Sequence, residues 1–458
     1  MGGSTMIWTA LLYVHLTLST TTIAATKTNS LRTFAHRRGR RLSMGIRPKQ
    51  RGLNKLRANS RGEEVVDLWT GENDRKDLPP LPIPNISGRK RVVLVRHGQS
   101  TWNKIGRIQG SSDFSVLTDK GKHQAEATGR MLSAERFDSV YQSPLSRVVQ
   151  TADIICEASQ FDMSLIRTQL ASLREIDLYG FQGLMKEEGK ARYGTQYDTW
   201  KRSPESFIID DHKPVVELWY RASVAWQRIL RGDDESSNIL VVAHNAINQA
   251  LLGVALGLDP SYFRKIVQDN AAVTVLEFLP EKEASTSVIV DRINQSPNPR
   301  ISPSPMSEKE IRIVLLDSDA PKDSSLDSLF TSDCGEMMAF VAENDSVGRE
   351  LATTVTPIVR SYSSSIRADV WGYLDEAFEE GRDALIVCPQ PDALKAVLSE
   401  MFSGERSREK KENHQQQQPL PLSPGGATIL IARKTAGLSQ GDEEQMSVEL
   451  KAHLQFSD

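Results

Sequence analysis

Two histidines that follow apolar runs could transfer a phosphoryl group. His97 follows the run 91–95 with Arg96 directly before it, and His244 follows a second run at 238–243. Both runs are rich in β-branched residues, which is typical of strands buried on both faces. Ligands bind at the carboxyl ends of such strands in α/β sheets. Because neutral histidine is a nucleophile near pH 7 and arginine binds phosphate oxygens, the pattern predicts a phosphate pocket.

Two further motifs carry groups that suit the same chemistry. Arg147 lies in the motif Ser-Pro-Leu-Ser-Arg at a predicted strand-to-helix turn, and its planar guanidinium can bind two phosphate oxygens. Glu175 lies in Leu-Arg-Glu-Ile, ahead of a glycine-containing loop at 179–184 that could hang over the pocket. Glu175 is therefore the candidate general acid, and Glu187 and Glu188 are the alternatives.

The backbone next to the two histidines also suits an anion. Gly98 would let the chain approach a ligand closely. His244 stands directly before a predicted helix, whose first N–H groups and positive dipole end favour a negative ligand. No cluster of acidic, histidine or cysteine residues has the spacing of a metal site. We therefore expect neither a metal ion nor another cofactor.

The elements that must position these residues alternate between strand and helix. Predicted strands cover 91–95, 137–144, 238–244 and 271–278, and predicted helices cover 117–135, 145–158, 214–230 and 245–257. Thr118 is a suitable N-cap for the first helix. This alternation predicts an α/β fold, a three-layer sandwich on a mostly parallel sheet.

A weaker copy of the same pattern occupies the C-terminal part of the chain. Segments that repeat the strands of the first domain lie at 311–319, 383–402 and 427–434. Asp and Ser replace the Arg-His pair there, and Pro389 replaces the second histidine. We interpret 311–458 as a smaller, degenerate α/β domain with a disordered insert at 403–426, although an unrelated small α/β domain fits the pattern equally well.

The N-terminal segment has the composition of a targeting sequence. Residues 6–18 form an apolar run that is short for a membrane span, and an arginine-rich stretch without acidic residues follows it. Together they resemble a bipartite plastid address; a plain plastid or mitochondrial transit peptide and a disordered basic tail are the alternatives. The predicted order is a targeting peptide at 1–62, a linker at 63–90, a catalytic domain at 91–295, a linker at 296–310 and the degenerate domain at 311–458.

Composition narrows the class of partner. The net charge of the chain is −3, but the part that follows the basic N-terminal segment is near −15. A body this acidic does not suit nucleic acid or anionic membranes, because phosphate neutralisation needs clustered Lys and Arg. The chain contains 3 cysteines, too few for a disulfide framework. We expect a protein that is soluble in its mature form and binds a small anion in a local basic pocket.

The motifs in their order resemble the histidine phosphatase superfamily, which includes the phosphoglycerate mutases. The shared elements are Arg-His-Gly, Ser-Pro-Leu-x-Arg-x-x-x-Thr-Ala, Leu-Arg-Glu-Ile and a strand-end histidine, within about residues 90–295. The resemblance implies the phosphoglycerate mutase-like fold and a metal-free reaction through a phosphohistidine. The roles it implies are a nucleophile, His97; an acid and base, Glu175; oxygen-binding groups, Arg96, Arg147 and His244; and substrate or phosphate contacts, Asn103, Gln109, Gly110, Gly98 and Asn245.

Departures from the common family pattern point to one branch. Asn245 follows the second histidine where many members have glycine, and Phe181-Gln182-Gly183 stands where many have Trp-Glu-Gly. Both departures resemble a plant chloroplast branch that hydrolyses a phosphorylated sugar acid inhibiting Rubisco, and that branch also carries a degenerate C-terminal extension. The resemblance implies a small phosphorylated sugar or sugar acid as substrate, a plastid stroma location, a functional link to Rubisco and a docking role for the C-terminal domain. A broad sugar-phosphate phosphatase, a fructose 2,6-bisphosphatase, a phosphoglycerate mutase and a non-enzymatic phosphoprotein-binding scaffold are the alternatives.

Overall fold

Strands and helices alternate through the first half of the chain, as the sequence predicts. The computed structural model describes residues 78–161, 166–232, 237–281, 285–297, 310–317, 337–342, 345–356, 359–362, 366–380, 382–388, 397, 426–435 and 445–455. The strands are β1 Lys90–Arg96, β2 Ser139–Gln142, β3 Ile166–Gln169, β4 Asn238–Ala243, β5 Val273–Glu281 and β6 Ser285–Gln295. The helices are α1 Thr101–Ile105, α2 Asp119–Met131, α3 Ser146–Ala158, α4 Lys186–Tyr193, α5 Thr195–Arg202, α6 Pro214–Arg231 and α7 Asn245–Ala255.

The sheet of this half is mostly parallel. Its order is β3-β2-β4-β1-β5-β6, in which β3, β2, β4 and β1 are parallel and β5 and β6 are antiparallel to their neighbours. The ladder pairs Arg96 with Ala243 and Gln142 with Val242. The residues that follow β1, β2 and β4 therefore meet at one edge of the sheet.

Helices cover both faces of this sheet, which explains the uninterrupted apolar runs. Val93 and Val95 face a core formed with α2 and α3. Val92 and Leu94 face the opposite core, which contains the apolar sides of α6 and α7. The predicted three-layer α/β sandwich is confirmed. Thr118 is the N-cap of α2 and accepts a hydrogen bond from the Gly121 amide at 3.1 Å.

The described part of the predicted linker at 63–90 packs against the first domain. The Leu81 amide donates to Ser223 Oγ at 2.8 Å, and Gln227 of α6 donates to the Pro82 carbonyl at 2.6 Å. Ile83 and Ile86 lie against the core. From Leu78 onward this segment is therefore anchored to the surface of the sandwich. Prolines keep the segment extended, and the backbone groups of an extended segment are available for hydrogen bonds to the domain.

The second half repeats the strand order of the first. It contains β7 Glu310–Asp317, β8 Met337–Ala342, α8 Ser346–Val355, β9 Val359–Tyr362, α9 Ile366–Glu379, β10 Asp383–Cys388, β11 Gly426–Thr435 and β12 Gln445–Gln455. The order β9-β8-β10-β7-β11-β12 matches β3-β2-β4-β1-β5-β6 strand for strand. β6 and β12 pair antiparallel through Ile293 and His453, so the described strands form one 12-stranded sheet.

Several sequence predictions fall on residues outside the described ranges. They are the targeting peptide at 1–62, Pro389 and the insert at 403–426 apart from Gly426, which begins β11. Cys156 and Cys388 are buried, and neither forms a disulfide among the described residues, while Cys334 lies outside the described ranges. Among the described residues, no helix has both the length and the apolarity that a membrane crossing needs.

Candidate active site

The two predicted histidines lie side by side at the edge where β1 and β4 end. The His97 amide donates to the Ala243 carbonyl at 3.0 Å, which continues the ladder one residue past β1. The ring centroids of His97 and His244 are 5.2 Å apart, with an angle of 70° between the ring planes. Ser143, the first residue after β2, joins the same edge, because its amide donates to the Val242 carbonyl at 3.1 Å.

His97 is held with one ring nitrogen engaged. Its side chain is buried, and Nδ1 lies 2.7 Å from the Gly98 carbonyl oxygen. A carbonyl only accepts, so Nδ1 carries the proton and Nε2 keeps a lone pair. Burial lowers the pKa of His97, and the charges of Arg147 and Arg96 lower it further. The imidazole is therefore neutral at neutral pH, the form that can attack phosphorus.

His244 stands at the N-cap of α7 in the same protonation state. Its Nε2 lies 2.8 Å from Ser143 Oγ, and its buried Nδ1 has no partner among the described residues. Burial lowers the pKa of His244, and the charge of Arg147 lowers it further. A neutral ring has one N–H to offer, which suits a hydrogen bond to a phosphate oxygen.

The histidines are accompanied by a buried arginine, Arg147, and a partly buried one, Arg96, and neither has a carboxylate partner among the described residues. Arg147 donates from Nη1 to the Ser112 carbonyl at 2.7 Å and from Nη2 to the Gly110 carbonyl at 3.1 Å. Arg96 donates from Nη1 to the Gln268 carbonyl at 2.6 Å. Burial lowers the pKa of Arg147 to about 10, so it remains charged at neutral pH. A buried cation without an ion pair is costly, and an anion in this cavity would offset that cost.

Glu175 lies at the N-terminus of α7. Its carboxylate accepts hydrogen bonds from the amides of Ala246 at 3.1 Å and Ile247 at 3.2 Å, and from the Ile176 amide at 2.9 Å. These helical N–H groups have no partner within the helix, so a carboxylate there is favoured. Arg221 fixes the same residue by donating to its backbone carbonyl at 2.8 Å. The alternatives Glu187 and Glu188 lie in the first turn of α4 and do not line the cavity.

A cavity of about 190 Å³ opens at this edge. Eight of the ten predicted site residues line it, namely Arg96, His97, Asn103, Gln109, Gly110, Arg147, Glu175 and Asn245. His244 does not line the cavity, but its ring lies next to that of His97. The Gly98 backbone is crowded by Gly121 at the start of α2, where a Cβ on Gly98 would overlap the Gly121 carbonyl. The structure thus brings the predicted residues together, and their catalytic roles stay predictions.

The segment 103–111 is shaped by amide side chains. Asn103 Oδ1 accepts from the Ser100 amide at 3.3 Å, and Gln109 Oε1 accepts from Ser100 Oγ at 3.0 Å. With their oxygens engaged, both side chains keep NH₂ donors for a ligand. Gly110 has φ +50°, and a Cβ there would overlap the Gln182 side chain. Gln182 also accepts from the Ser111 amide at 2.7 Å, so this departure from the family pattern supports the cavity wall.

Sequence reasoning missed the opposite wall of the cavity. Additional lining residues are Arg107, Ile176, Leu178, Trp200, Ala246, Phe263 and Arg264. Trp200 both packs in the core and lines the cavity. No catalytic motif contains these residues, so their types and spacing carried no signal. In the loop at 179–184, which we expected to lie over the pocket, Phe181 is instead buried in the core.

Among the described residues, no group of three or more His, Cys, Asp or Glu side chains is arranged to hold a metal ion. The groups that face the cavity are arginines, amides and the neutral His97 with one carboxylate, and the His244 ring lies next to that of His97. This donor set suits an oxyanion, because arginine supplies charge and paired N–H donors to phosphate or carboxylate.

Comparisons with known proteins agree with the site. The model of the histidine phosphatase superfamily (branch 1) matches residues 92–290. The chain is 49% identical over 261 residues to a Triticum aestivum protein named 2-carboxy-D-arabinitol-1-phosphatase, covering 56% of this chain and 51% of that one. It is 53% identical over 210 residues to an Arabidopsis thaliana protein with the same activity in its name, covering 46% of this chain and 42% of that one.

The chain thus spans about half the length of these two plant relatives. It covers far more of a shorter relative, the 2,3-bisphosphoglycerate-dependent phosphoglycerate mutase of Brucella anthropi. That alignment is 35% identical over 185 residues and covers 38% of this chain and 86% of the mutase. On the family match, the near-complete coverage of this relative and the histidine-arginine site, the chain belongs to the histidine phosphatase superfamily.

Proposed function

We propose that this protein is a phosphatase that hydrolyses phosphorylated sugar acids through a phosphohistidine on His97, with 2-carboxy-D-arabinitol 1-phosphate as its substrate. One observation carries the proposal. A buried neutral histidine with a free Nε2 lone pair shares a cavity with two arginines that have no carboxylate partner in the described part of the chain. Such a cavity holds a phosphate ester against a nucleophile.

The reaction then runs in two displacements. In the first, His97 Nε2 bonds to phosphorus as the ester P–O bond breaks, and Glu175 protonates the leaving alcohol oxygen. In the second, Glu175 removes a proton from water, the water oxygen bonds to phosphorus, and the Nε2–P bond breaks to release phosphate. Positioning and charge stabilisation supply most of the catalysis that phosphoryl transfer needs.

The remaining predicted residues have supporting roles in this scheme. Arg96, Arg147 and His244 bind the three equatorial oxygens while charge builds up on them. The amide groups of Asn103 and Gln109 and the backbone at Gly110 contact phosphate or its ester oxygen. Gly98 contributes by accepting the His97 Nδ1 proton in a hydrogen bond, which fixes the reactive tautomer.

The substrate proposal draws on the names of the two plant relatives at 49% and 53% identity. It is tested by phosphate release from the full chain with five compounds: 2-carboxyarabinitol 1-phosphate, carboxyarabinitol bisphosphate, xylulose bisphosphate, fructose 2,6-bisphosphate and 3-phosphoglycerate. We expect the carboxyarabinitol monophosphate to have the highest kcat/KM. Equal kcat/KM values for all five compounds would leave the phosphohistidine mechanism intact and would overturn the proposal that the substrate is a phosphorylated sugar acid.

The mutase relatives make phosphoglycerate mutase the second candidate. A mutase returns the phosphoryl group to its substrate, so 2,3-bisphosphoglycerate would be required for turnover of 3-phosphoglycerate. We expect release of inorganic phosphate without that requirement. Interconversion of the two monophosphoglycerates that depends on 2,3-bisphosphoglycerate would replace the phosphatase proposal.

The proposed location is the plastid stroma, reached through residues 1–62, and the proposed physiological role is to clear a Rubisco inhibitor. The arginine-rich, acid-free composition of this segment supports the location. A fusion of residues 1–62 to a fluorescent protein tests it, with import into plastids expected. Retention in the cytosol or import into mitochondria would overturn the location.

A further inference from the structure

The cavity has a second wall that the phosphoryl transfer does not use. It consists of Trp200, Phe263, Arg264 and Arg107. The Arg264 guanidinium lies over the Trp200 ring, with Cζ 4.1 Å from the ring centroid. A cation stacked on an aromatic face keeps a fixed plane and presents its edge to a ligand.

The backbone of Arg264 is held in an unusual conformation. Its φ is +75°, which is rare for a residue with a side chain. Its amide donates to Gln249 Oε1 at 2.7 Å, and Gln249 Nε2 donates in turn to Asn245 Oδ1 at 3.0 Å. The acceptor end of Asn245 is therefore engaged, which leaves its NH₂ group as the end available to a ligand. One hydrogen-bonded chain thus sets two donors on this wall.

No carboxylate of the described residues pairs with Arg264. The guanidinium donates from Nη1 to the carbonyls of Trp200 at 2.7 Å and Lys201 at 3.3 Å, at the end of α5. Burial lowers the pKa of Arg264 to about 10, so it stays charged at neutral pH. Arg264 is thus a further cavity-lining cation that is available for an anion.

The charges that line the cavity exceed what one phosphate neutralises. Four arginines and one glutamate line it, which leaves an excess of three positive charges. The dianion of a phosphate monoester would take up two of these. At least one positive charge therefore remains for a second anionic group of the ligand.

We propose that Arg264, assisted by the Asn245 amide, binds a carboxylate of the substrate and selects phosphorylated acids over neutral polyol phosphates. The inference rests on the proposed function, since it names the part of that substrate which this wall recognises. Gln249 is a positioning residue, because it acts only through the Arg264 amide and the Asn245 side chain.

The test measures binding of two phosphonates that differ only in a carboxylate. 4-Phosphonobutyrate carries its carboxyl carbon four bonds from phosphorus, as does 2-carboxyarabinitol 1-phosphate, and butylphosphonate lacks the carboxylate. Calorimetry on the full chain should give at least about tenfold tighter binding of 4-phosphonobutyrate. Arg264→Gln should weaken 4-phosphonobutyrate about 10- to 100-fold and butylphosphonate by less than about threefold. Lys201→Gln removes an exposed cation near Arg264 and should keep the wild-type preference for 4-phosphonobutyrate. This control separates direct contact by Arg264 from a nonspecific effect of nearby positive charge.

Equal affinity of the wild type for both phosphonates would overturn the proposal, and so would an equal loss for both in Arg264→Gln. If Arg264→Gln does not fold, Arg264→Lys is measured instead. A reduced preference for 4-phosphonobutyrate supports bidentate binding of the carboxylate by the Arg264 guanidinium, and an unchanged preference overturns it. Binding does not require turnover, so the two proposals fail separately. If the chain prefers 4-phosphonobutyrate but hydrolyses no sugar acid phosphate, the carboxylate subsite is supported and the proposed substrate is overturned. If the chain hydrolyses sugar acid phosphates but Arg264→Gln keeps the preference for 4-phosphonobutyrate, the proposed function is supported and the subsite is overturned.

Discussion

His97 and His244 are kept neutral by burial beside permanent cations. The rings lie together at the strand ends, where water cannot solvate an imidazolium, and Arg147 and Arg96 repel a further positive charge. The same arginines attract phosphate. One arrangement therefore produces both a reactive nitrogen and an affinity for its target.

These lowered pKa values make the free energy of unfolding depend on pH. Each histidine binds protons less readily in the folded chain than in the unfolded chain, whose value is near 6.5. Stability is therefore fully present above pH 6.5 and is lost as pH falls below it, by up to about 1.4 kcal/mol per pH unit for each histidine. Urea unfolding between pH 5 and 7.5 measures this slope. His97→Asn should flatten it, and a slope that the substitution leaves unchanged would contradict the burial argument.

The effect of losing the Glu175 carboxyl group should depend on whether the leaving group needs a proton. Glu175→Gln keeps an oxygen to accept the α7 amides but cannot donate a carboxylic proton. We expect kcat/KM, which reports the transfer of phosphate to His97, to fall about 10²- to 10⁴-fold on an alkyl phosphate and to change little on p-nitrophenyl phosphate, whose leaving group needs no proton. Glu188→Gln is the matched control and should leave both rates unchanged. An equal loss on both substrates would remove Glu175 from the acid role.

At the scale of elements, β1 and the start of α2 are locked together through two glycines. A Cβ on Gly98 would overlap the Gly121 backbone, and a Cβ on Gly121 would overlap the Gln99 backbone. The loop that carries His97 is thereby fixed against the first turn of α2. Glycine is needed here because of close approach rather than a positive φ.

Substitution of Gly121 therefore disturbs stability and catalysis together. Gly121→Ala should lower the free energy of unfolding by about 1–3 kcal/mol through overpacking and should lower kcat by shifting Gln99 next to His97. Gly372→Ala is the matched control: this glycine is also helical, but a Cβ there meets nothing within 4 Å. Alanine there should stabilise by about 0.5–1 kcal/mol. Chemical denaturation of the two variants measures both values. A neutral Gly121→Ala would show that the contact is loose.

The sequence predicted the buried elements well because their patterns are strong. β1 and β4 are buried on both faces, and the periodicity of α2, α3 and α6 is clear, so their bounds agree within a few residues. β6 was missed because most of its residues are only half-buried and polar residues interrupt its apolar pattern. α4 and α5 were missed because each is only 8 residues long and mostly polar.

At the scale of the whole molecule, the second half repeats the strand register of the first. Asp317 pairs with Cys388 between β7 and β10, as Arg96 pairs with Ala243 between β1 and β4. The repeated order and register support our interpretation of 311–458 as a degenerate copy. An aspartate at the position that corresponds to Arg96 repels an oxyanion, so we propose that this half is catalytically empty.

This interpretation predicts one oxyanion site per chain. Calorimetric titration of the full chain with orthovanadate should give a stoichiometry of one, because only the first half has histidine and arginine at its strand ends. Arg147→Gln should abolish that site, while Asp317→Asn should leave both affinity and stoichiometry unchanged. A second equivalent of comparable affinity would contradict a degenerate second half.

The site was predictable as far as its motifs reach. Residues 96–98 and 244–245 follow strands whose order brings their ends together, so sequence and topology alone place them at one edge. The Arg264 wall was not predictable, because it depends on a positive φ and on the contact with Gln249 across the chain. Such contacts leave no periodicity or motif in the sequence.

The central claim is that phosphate passes through His97 Nε2. Rapid-quench mixing of the full chain with ³²P-labelled substrate, followed by peptide mapping, tests it most directly. We expect an acid-labile, base-stable label on the peptide that contains His97. We also expect that His97→Asn forms no label and loses at least about 10⁴-fold in turnover. Full turnover by His97→Asn, or a label on another residue, would contradict a phosphohistidine on His97.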